Sequence, residues 1–428
     1  MDYSKESRDR QEKIQNMKDA GVICYANNFR WKQDIIKLRE TSEDKYKEVD
    51  FLMENWSAGE YKTAGRIISS RGMWKLTFAK LRDNTWDIQV CFMRGKVDFN
   101  TGRELVKELE IGWEMKSAYK IAEKFCQVWD YIWIVWDLFL TKHGELTLFV
   151  REFQVLSKAV RPLPEKFHWV QDKETIYRQR YLDLIMNDES YNRFQLRSDF
   201  VKAVREFYWK NNFTEIETPV LGNSASWAAA QPFITHHNDF DEDYFLRIAP
   251  ETALKKATVW RFEKVFEIGK NFRNEGSDPS HMQEFTAIEH YATWWNFEDN
   301  MRFTEEMFDY IFDNLKLNKE IQIKDKDWNA RMVNFTTPWD RIDYIAWVKE
   351  KSWIDIEAYW EEDADKLRED IKKAWHIWEG IDKQATATMI DYLYKKVLRP
   401  GIAGPAFIYN YPKTMQPLAR TSDQDENT

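Results

Sequence analysis

The clearest candidate for a chemical site is a polar segment flanked by two stretches of alternating apolar and polar residues, in KVFEIGKNFRNEGSDPSHMQEFTAIEHYAT. Its residues follow the spacing Arg273-x-Glu275-x5-His281-x3-Phe285-x3-Glu289. An arginine suits a phosphate, because its planar guanidinium makes two charge-assisted hydrogen bonds. Each residue taken alone also fits an ordinary role, such as a surface ion pair or a core phenylalanine. The spacing as a whole favours a binding site.

The elements that hold this segment are predicted from the alternation with period two. The pattern indicates a β-hairpin with a long loop at about residues 274–283. It places Arg273, Glu289 and Tyr291 on one surface of a sheet, on the face that also carries Phe285. The predicted hairpin therefore presents a cation, two acceptors and an aromatic ring together.

The overall composition excludes several classes of protein. The net charge is −9, and the three cysteines are far apart without CxxC spacing, which argues against a disulfide framework or a thiolate zinc site. No run of about 18 uncharged apolar residues occurs, and the first residues lack the apolar stretch of a signal peptide. We therefore expect a cytoplasmic protein without a membrane partner. No GxxxxGK[ST], GxGxxG or HExxH motif is present.

Three segments are predicted along the chain. Residues 1–55 form a helical segment, residues 56–160 a small β-barrel and residues 161–428 an α+β domain built on an antiparallel sheet. The proline-punctuated RPLPEKFHW marks the linker between the last two. The barrel is expected to carry a helical insertion between Asn100 and Gln127.

The first helix, from about Ser4 to Ala20, mixes basic and acidic residues. Its lysines and arginines could contact a phosphate backbone. The interleaved acidic residues favour an exposed, solvated helix instead.

These features resemble the class II aminoacyl-tRNA synthetases. The segment from Arg273 to Glu289 is similar to motif 2 of that family, and FTEIETPVL at 213–221 resembles motif 1, with Pro219 at the signature position of the dimer interface. The stretches AAAQPFITHHN, YFLRIAPE and FEIGKNFRNEG resemble the lysyl branch in particular. The resemblance implies an N-terminal OB-fold barrel that binds the anticodon, followed by a class II catalytic domain. The related aspartyl and asparaginyl enzymes are less consistent with a site rich in carboxylates.

The resemblance also implies roles in ATP binding. Arg273 is the expected ligand of the α-phosphate and the catalytic residue that stabilises the transition state of adenylation. Glu275 is expected at the adenine edge, His281 at the outer phosphates and Phe285 stacked on the adenine. Such a reaction depends on positioning and charge neutralisation.

Lysine and tRNA are the remaining implied substrates. Glu251 is expected to bind the α-amine of lysine, while Glu289 and Tyr291 hold its ε-ammonium. In the barrel, Phe78 is the expected stacking platform for an anticodon base. Its expected hydrogen-bonding neighbours are Arg66, Gln89 and Glu145. A homodimer that charges tRNA(Lys) is the implied assembly.

Tryptophan stands at several positions where the family usually has glycine. The loop around the substrate reads Ser226-Trp227-Ala228, and a tryptophan there is expected to block the lysine site. The chain has 21 Trp and 14 Gly. Trp133, Trp136, Trp260 and Trp353 also fall at expected glycine positions. Any of them with positive φ is expected to be strained.

Magnesium is the implied cofactor beside ATP. By the resemblance its acidic ligands, together with the arginine of motif 3, are expected beyond Thr428 rather than within this chain. The alternative function is a catalytically incomplete, synthetase-like protein that binds tRNA through its barrel. A third possibility is a remnant that only dimerises.

Overall fold

A computed structural model describes most of the chain. The described residues are 5–29, 32–42, 61–141, 144–161, 172–224, 230–276, 278, 281–324, 330–359, 361–395, 399–415 and 420–422. The chain divides into two compact units, Met1–Asp188 and Glu189–Thr428.

The first unit is a small barrel with flanking helices. Its elements in chain order are α1 (Lys5–Asp19), α2 (Ile35–Ser42), β1 (Tyr61–Met73), β2 (Leu76–Arg82), β3 (Asp87–Met93), β4 (Asp98–Asn100), β5 (Leu105–Val106), β6 (Glu108–Ile111), β7 (Glu114–Ser117), α3 (Ala118–Lys124), β8 (Tyr131–Leu140), β9 (Leu146–Ser157), α4 (Lys173–Arg178) and α5 (Arg180–Met186).

Five of these strands close into a barrel. The order is β3-β2-β1-β8-β9, and β9 also pairs with β3, so the sheet has no free edge between them. Alternate residues of β2 and β3 are buried, because side chains on a strand point in turn to the interior and to the exterior. The core includes Leu81, Val90, Phe153 and Trp136. The predicted barrel is therefore confirmed, with the topology expected of an OB-fold.

Two local predictions in this unit were only partly correct. The predicted helical insertion between Asn100 and Gln127 is helical only over Ala118–Lys124, and strands β5, β6 and β7 precede that helix. Helix α1 is not simply a solvated element, since Ile14 and Met17 belong to the barrel core. Arg10 of the same helix is buried and donates to the carbonyl oxygen of Val128. Apolar burial of one face decided its position.

The second unit is an α+β domain. Its elements in chain order are α6 (Asp188–Lys210), β10 (Thr214–Glu215), β11 (Leu221–Gly222), β12 (Ile234–His237), β13 (Glu242–Leu246), α7 (Glu251–Val259), β14 (Lys264–Phe272), β15 (Glu284–Ala292), α8 (Phe297–Leu315), β16 (Glu320–Lys324), β17 (Ala330–Asn334), β18 (Asp340–Asp343), α9 (Tyr344–Ser352), α10 (Ala364–Lys373), α11 (Thr386–Leu393) and β19 (Ala406–Tyr409).

The central hairpin of this unit is β14–β15, which pairs antiparallel over nine residues. The short strand β10 joins it in parallel, and β18 and β19 also pair in parallel, so the domain is not purely antiparallel as predicted. One face of the hairpin packs on α6 and α8 through Phe266, Tyr208 and Phe303. The α+β class is confirmed, and this packing leaves the other face of the hairpin available.

Candidate active site

The register of β14 and β15 brings the candidate residues onto one face. Asn271 pairs with Phe285, Gly269 with Ala287 and Glu267 with Glu289. Because side chains alternate across a sheet, these pairs lie on the same surface, with Arg273 continuing from one end and Tyr291 from the other. Small residues, Gly269 and Ala287, occupy the middle. The face therefore has an arginine end and a carboxylate end, with the smallest residues between them.

The opposite face of the hairpin fixes its position. Tyr208 Oη lies 2.8 Å from His290 Nδ1, and His290 Nε2 lies 2.9 Å from Asn300 Oδ1. Burial lowers the pKa of His290, which favours the neutral imidazole that such a hydrogen-bonded position requires. This polar pair, set in an aromatic cluster, anchors the hairpin from α6 and α8.

Arg273 lies at the arginine end of the face and contacts Phe285, another candidate residue. Its guanidinium carbon lies 5.2 Å from the centroid of the Phe285 ring. Its Nε atom is buried and has no hydrogen-bond partner among the described residues. Its backbone N–H donates to the carbonyl oxygen of Gln283 at 2.8 Å, which holds the loop closed. A buried, unpaired guanidinium N–H beside an aromatic ring is suited to a planar or phosphate-bearing ligand.

Glu275 and His281 lie in the exposed loop of the hairpin rather than on this face. The Glu275 carbonyl oxygen accepts a hydrogen bond from Gln283 Nε2 at 2.9 Å. His281 Nδ1 lies 2.6 Å from Asp278 Oδ2, a partner that the sequence did not suggest. The structure therefore brings together Arg273 and Phe285, and leaves these two loop residues on the surface.

The carboxylate end contains Glu289, Tyr291 and Glu251. Burial raises the pKa of Glu289, and the nearby carboxylates of Glu251 and Glu267 raise it further. Burial, together with the negative charges of Glu251 and Glu289, raises the pKa of Tyr291, so its hydroxyl stays protonated. Carboxylates crowded in this way gain from a bound cation, which favours their ionised form. The arrangement suits a ligand with amino groups.

Glu251 already has an ammonium partner within its own helix. Lys255 Nζ lies 2.7 Å from Glu251 Oε1 and 5.8 Å from the centroid of the Tyr291 ring. Both members of the ion pair are about half exposed, at 55% and 43%, so the pair is weak and replaceable. The sequence analysis missed Lys255, although its i,i+4 spacing from Glu251 could have revealed it.

A buried ionic cluster lies on this face beside Gly269, between its two ends, and the sequence analysis missed it as well. Arg247 pairs with Glu267 at 2.5 Å and donates to the Lys270 carbonyl oxygen at 2.9 Å. It also reaches the Thr218 hydroxyl at 2.9 Å, and that hydroxyl donates to Glu267. A Cβ at Gly269 would collide with the Arg247 guanidinium and the Glu267 carboxylate. Only burial and long-range pairing reveal such a cluster, so no sequence spacing marks it.

Pro219 lies in the segment between β10 and β11 and is exposed. Its neighbours Val220 and Leu221 are also exposed, at 39% and 48%. The three form a short apolar strip on the surface of the second unit. Such a strip is compatible with an interface, and the dimer remains a prediction.

In the barrel, the predicted tRNA residues come from strands β1, β2 and β3 and from the residue before β9. Phe78 is half-buried and pairs with Cys91, and Gln89 Nε2 donates to the Thr147 hydroxyl at 2.8 Å. Arg66 lies opposite Arg82 in the backbone register of β1 and β2. Its guanidinium carbon lies 4.5 Å from the centroid of the Tyr131 ring. Glu145 is exposed at the start of β9. Neighbouring strands thus carry a half-buried aromatic ring and polar groups.

Several predictions about tryptophan have a definite outcome. Ser226, Trp227 and Ala228 lie outside the described residues. Among the four other positions, only Trp353 has a positive φ, at 62°. Trp260 has φ −83°, and Trp133 and Trp136 are buried in strand β8. The condition for strain, a positive φ, is therefore met at one of these four positions.

The described residues contain no group of three or more His, Cys, Asp or Glu side chains that could hold a metal ion. The described residues therefore provide no set of side chains that fits a magnesium ion. In the same residues, no helix is both long and apolar enough to cross a membrane.

Comparison with known proteins gives a consistent result. Residues 172–428 match the family of tRNA synthetases class II (D, K and N). The chain is 36% identical over 418 residues to the lysine–tRNA ligase of Thermotoga maritima, covering 97% of this chain and 76% of that protein. It is 34% identical to the lysine–tRNA ligase of Lactococcus lactis, covering 97% of this chain and 78% of that protein.

A third relative is matched over a smaller share of its length. The lysine–tRNA ligase of Aquifex aeolicus is 34% identical over 392 residues, which is 92% of this chain and 62% of that protein. The chain therefore spans between about three fifths and four fifths of these three relatives.

Proposed function

Because the chain belongs to the class II tRNA synthetases of the D, K and N group, we propose that it attaches lysine to tRNA(Lys) through a lysyl-adenylate. The relatives named above are all lysine–tRNA ligases, which favours lysine over aspartate or asparagine. The same names favour an enzyme over a protein that only binds tRNA.

The observation that carries this proposal is the division of one sheet face into two charged ends. The buried, unpaired Nε of Arg273 lies beside Phe285, and the crowded carboxylates of Glu289 and Glu251 lie beyond Gly269 and Ala287. A nucleotide suits the first end and a diamine such as lysine suits the second. The reacting groups, a carboxylate and an α-phosphate, then meet over the small residues in the middle.

The first half-reaction follows from this placement. A carboxylate oxygen of lysine attacks the α-phosphorus of ATP, a new P–O bond forms, and the bond to the β-phosphate oxygen breaks to release pyrophosphate. Arg273 binds the α-phosphate and neutralises the charge that develops on its oxygens. Phe285 stacks on the adenine, and Glu275 and His281 approach the nucleotide from the loop. No step is assigned to magnesium, because the described residues provide no site for it.

The carboxylate end selects the amino acid. Glu289 and the protonated hydroxyl of Tyr291 bind the ε-ammonium. Glu251 binds the α-amine after its ion pair with Lys255 breaks. Two carboxylates matched to two ammonium groups discriminate against aspartate, because like charges in a partly buried site repel strongly.

The second half-reaction requires tRNA. The hydroxyl at the tRNA terminus attacks the lysyl carbonyl, and the adenylate leaves as AMP. The barrel contributes recognition through Phe78, Arg66, Gln89 and Glu145, which are placed to stack on and hydrogen-bond a single-stranded base. The exposed strip at Pro219 is proposed as the homodimer interface, and the protein is proposed to act in the cytoplasm.

Lysine-dependent exchange of pyrophosphate into ATP tests the proposal, because it isolates adenylation from tRNA. We expect exchange that needs lysine, ATP and Mg²⁺ and is lost, by about 10²-fold or more, in Arg273→Ala. Arg302→Ala is the matched control, since Arg302 is exposed and its ion-pair partner among the described residues is Asp299 of the same helix α8. Equal exchange in both variants would refute the assignment of Arg273. Retained RNA binding without any exchange would support the binding protein instead.

A further inference from the structure

Six tryptophans have a backbone conformation that L-residues rarely adopt. Eleven non-glycine residues in the described part of the chain have positive φ. The six tryptophans among them are Trp74 (53°), Trp113 (65°), Trp129 (82°), Trp294 (68°), Trp353 (62°) and Trp375 (63°). In this region the Cβ of a bulky residue crowds the backbone, and glycine, asparagine and aspartate are the usual occupants. Tryptophan is among the least expected residues here.

Two of these tryptophans lie in tight hairpin turns. Trp113 follows Gly112, and both have positive φ between the paired ends of β6 and β7. A two-residue turn of this kind requires positive φ at both central residues and favours Asn-Gly or Gly-Gly. Trp74 is the first of the two residues that join β1 and β2, the position at which a type II′ turn needs glycine.

Two others end helices. Trp353 is the C-terminal cap of α9, with φ 62° and ψ 20°. Trp375 follows α10, and its N–H bonds the Lys372 carbonyl while His376 N–H bonds that of Ile371. Such backbone closure usually takes glycine at the left-handed residue. All four positions therefore have a backbone conformation and a place in a turn or helix end that usually require glycine.

The side chains at five of these positions are almost fully exposed, and Trp74 contacts its neighbour Lys75, whose Nζ lies 4.6 Å from the ring centroid. Trp74, Trp113, Trp294, Trp353 and Trp375 are between 85% and 96% exposed. Tryptophans without positive φ include well-packed ones. Trp339 is 9% exposed and donates its Nε1–H to the Phe335 carbonyl, and Trp295 packs in the aromatic cluster with Phe303. Five of the six left-handed tryptophans thus combine backbone strain with an exposed indole, and Trp129 combines it with a half-buried one.

We propose that all six positions are glycine in the protein made by its source cell, because they are encoded by a codon that is translated here as tryptophan but is decoded there as glycine, and that differs from the tryptophan codon used at Trp295 and Trp339. This accounts for the strained backbone and the exposed indoles together. It also accounts for the unusual balance of 21 Trp against 14 Gly. The proposal rests on conformation and exposure, and is independent of the catalytic assignment. Trp227 lies outside the described residues and does not contribute to it.

Tandem mass spectrometry of peptides from the protein purified from its source cells tests this directly. We expect glycine at residues 74, 113, 129, 294, 353 and 375. Trp295 and Trp339 are internal controls and are expected to remain tryptophan. Tryptophan in the peptides that cover the six positions would overturn the proposal.

A second measurement tests the physical basis on the recombinant chain. Trp353→Gly and Trp375→Gly are expected to raise the Tm, because each removes a strained left-handed residue. Trp209→Gly is the matched control. Trp209 is 53% exposed inside helix α6, where glycine weakens the helix, so the Tm is expected to fall. A fall in Tm for the two cap variants as well would remove the argument from strain and overturn the inference.

Discussion

Arg247 and Glu267 form a buried ion pair, 2.5 Å between Nη1 and Oε1, on the candidate active face beside Gly269. Their side chains are 8% and 5% exposed. Through the Thr218 hydroxyl and the Lys270 carbonyl, the pair joins the segment before β11 to strand β14. The segment at Pro219 and the residues that face the substrate are therefore held by one cluster.

Removal of Arg247 is expected to destabilise the chain severely. Arg247→Ala leaves Glu267 buried without its cation, and breaking a buried pair in this way costs about 3–5 kcal/mol. Urea unfolding of the second unit measures the change. Arg302→Ala removes an exposed partner of Asp299 and is expected to cost about 1 kcal/mol or less. Similar losses in the two variants would show that the Arg247 cluster is not structural.

A methyl group at Gly269 tests the packing of the face against this cluster. A Cβ there would meet both the Arg247 guanidinium and the Glu267 carboxylate. Gly269→Ala is expected to lower kcat of the exchange reaction by about 10-fold or more, because small displacements of positioned groups are costly. Gly72→Ala is the control, since its Cβ would meet only a flexible Glu123 oxygen at 3.9 Å. Full activity of Gly269→Ala would contradict the placement of the face.

Glu289 is expected to reduce the stability of the ligand-free protein. Its pKa is raised in the folded chain, chiefly by burial. The protonated carboxyl of Glu289 therefore stabilises the folded chain when the pH is below the ordinary pKa of a glutamate. This stabilisation is lost as the pH rises through the raised pKa. At neutral pH, Glu289→Gln should raise the Tm by roughly 1–4 °C while abolishing thermal protection by lysine. A variant that loses stability, or keeps protection by lysine, would argue against this role.

The raised pKa of Glu289 also predicts the pH dependence of lysine binding. Lysine needs the ionised carboxylate, so its affinity should fall as the pH decreases through the raised pKa of Glu289. Binding just above this pH should release protons. Calorimetry in two buffers of different ionisation enthalpy measures that release. It should disappear in Glu289→Gln, and an unchanged release would assign the titration to another group.

The barrel can be tested separately from adenylation. Phe78→Ala is expected to weaken binding of an anticodon stem-loop by about 1–3 kcal/mol and to leave lysine-dependent exchange unchanged. Met115→Ala, an exposed apolar truncation on the β6–β7 hairpin, is the control and should change neither. Loss of exchange in Phe78→Ala would indicate that the substitution damages the fold.

Local sequence patterns were sufficient to predict much of the fold and much of the candidate site. Alternation with period two predicted the β14–β15 hairpin and the face shared by Arg273, Glu289 and Tyr291, because side chains alternate on any strand. The same rule predicted the barrel strands around Phe78. It did not separate the β6–β7 hairpin from the helix that follows it, since short amphipathic segments fit both periods.

The sequence by itself thus determined the family, the two-part architecture and the candidate residues, because these depend on residue type and spacing along the chain. Tertiary structure alone decided that the Arg247 guanidinium lies against Gly269, that Lys255 forms an ion pair with Glu251 and that His281 contacts Asp278 on the surface. It also decided which tryptophans have positive φ. These facts depend on burial and on contacts between distant segments, which no local pattern encodes.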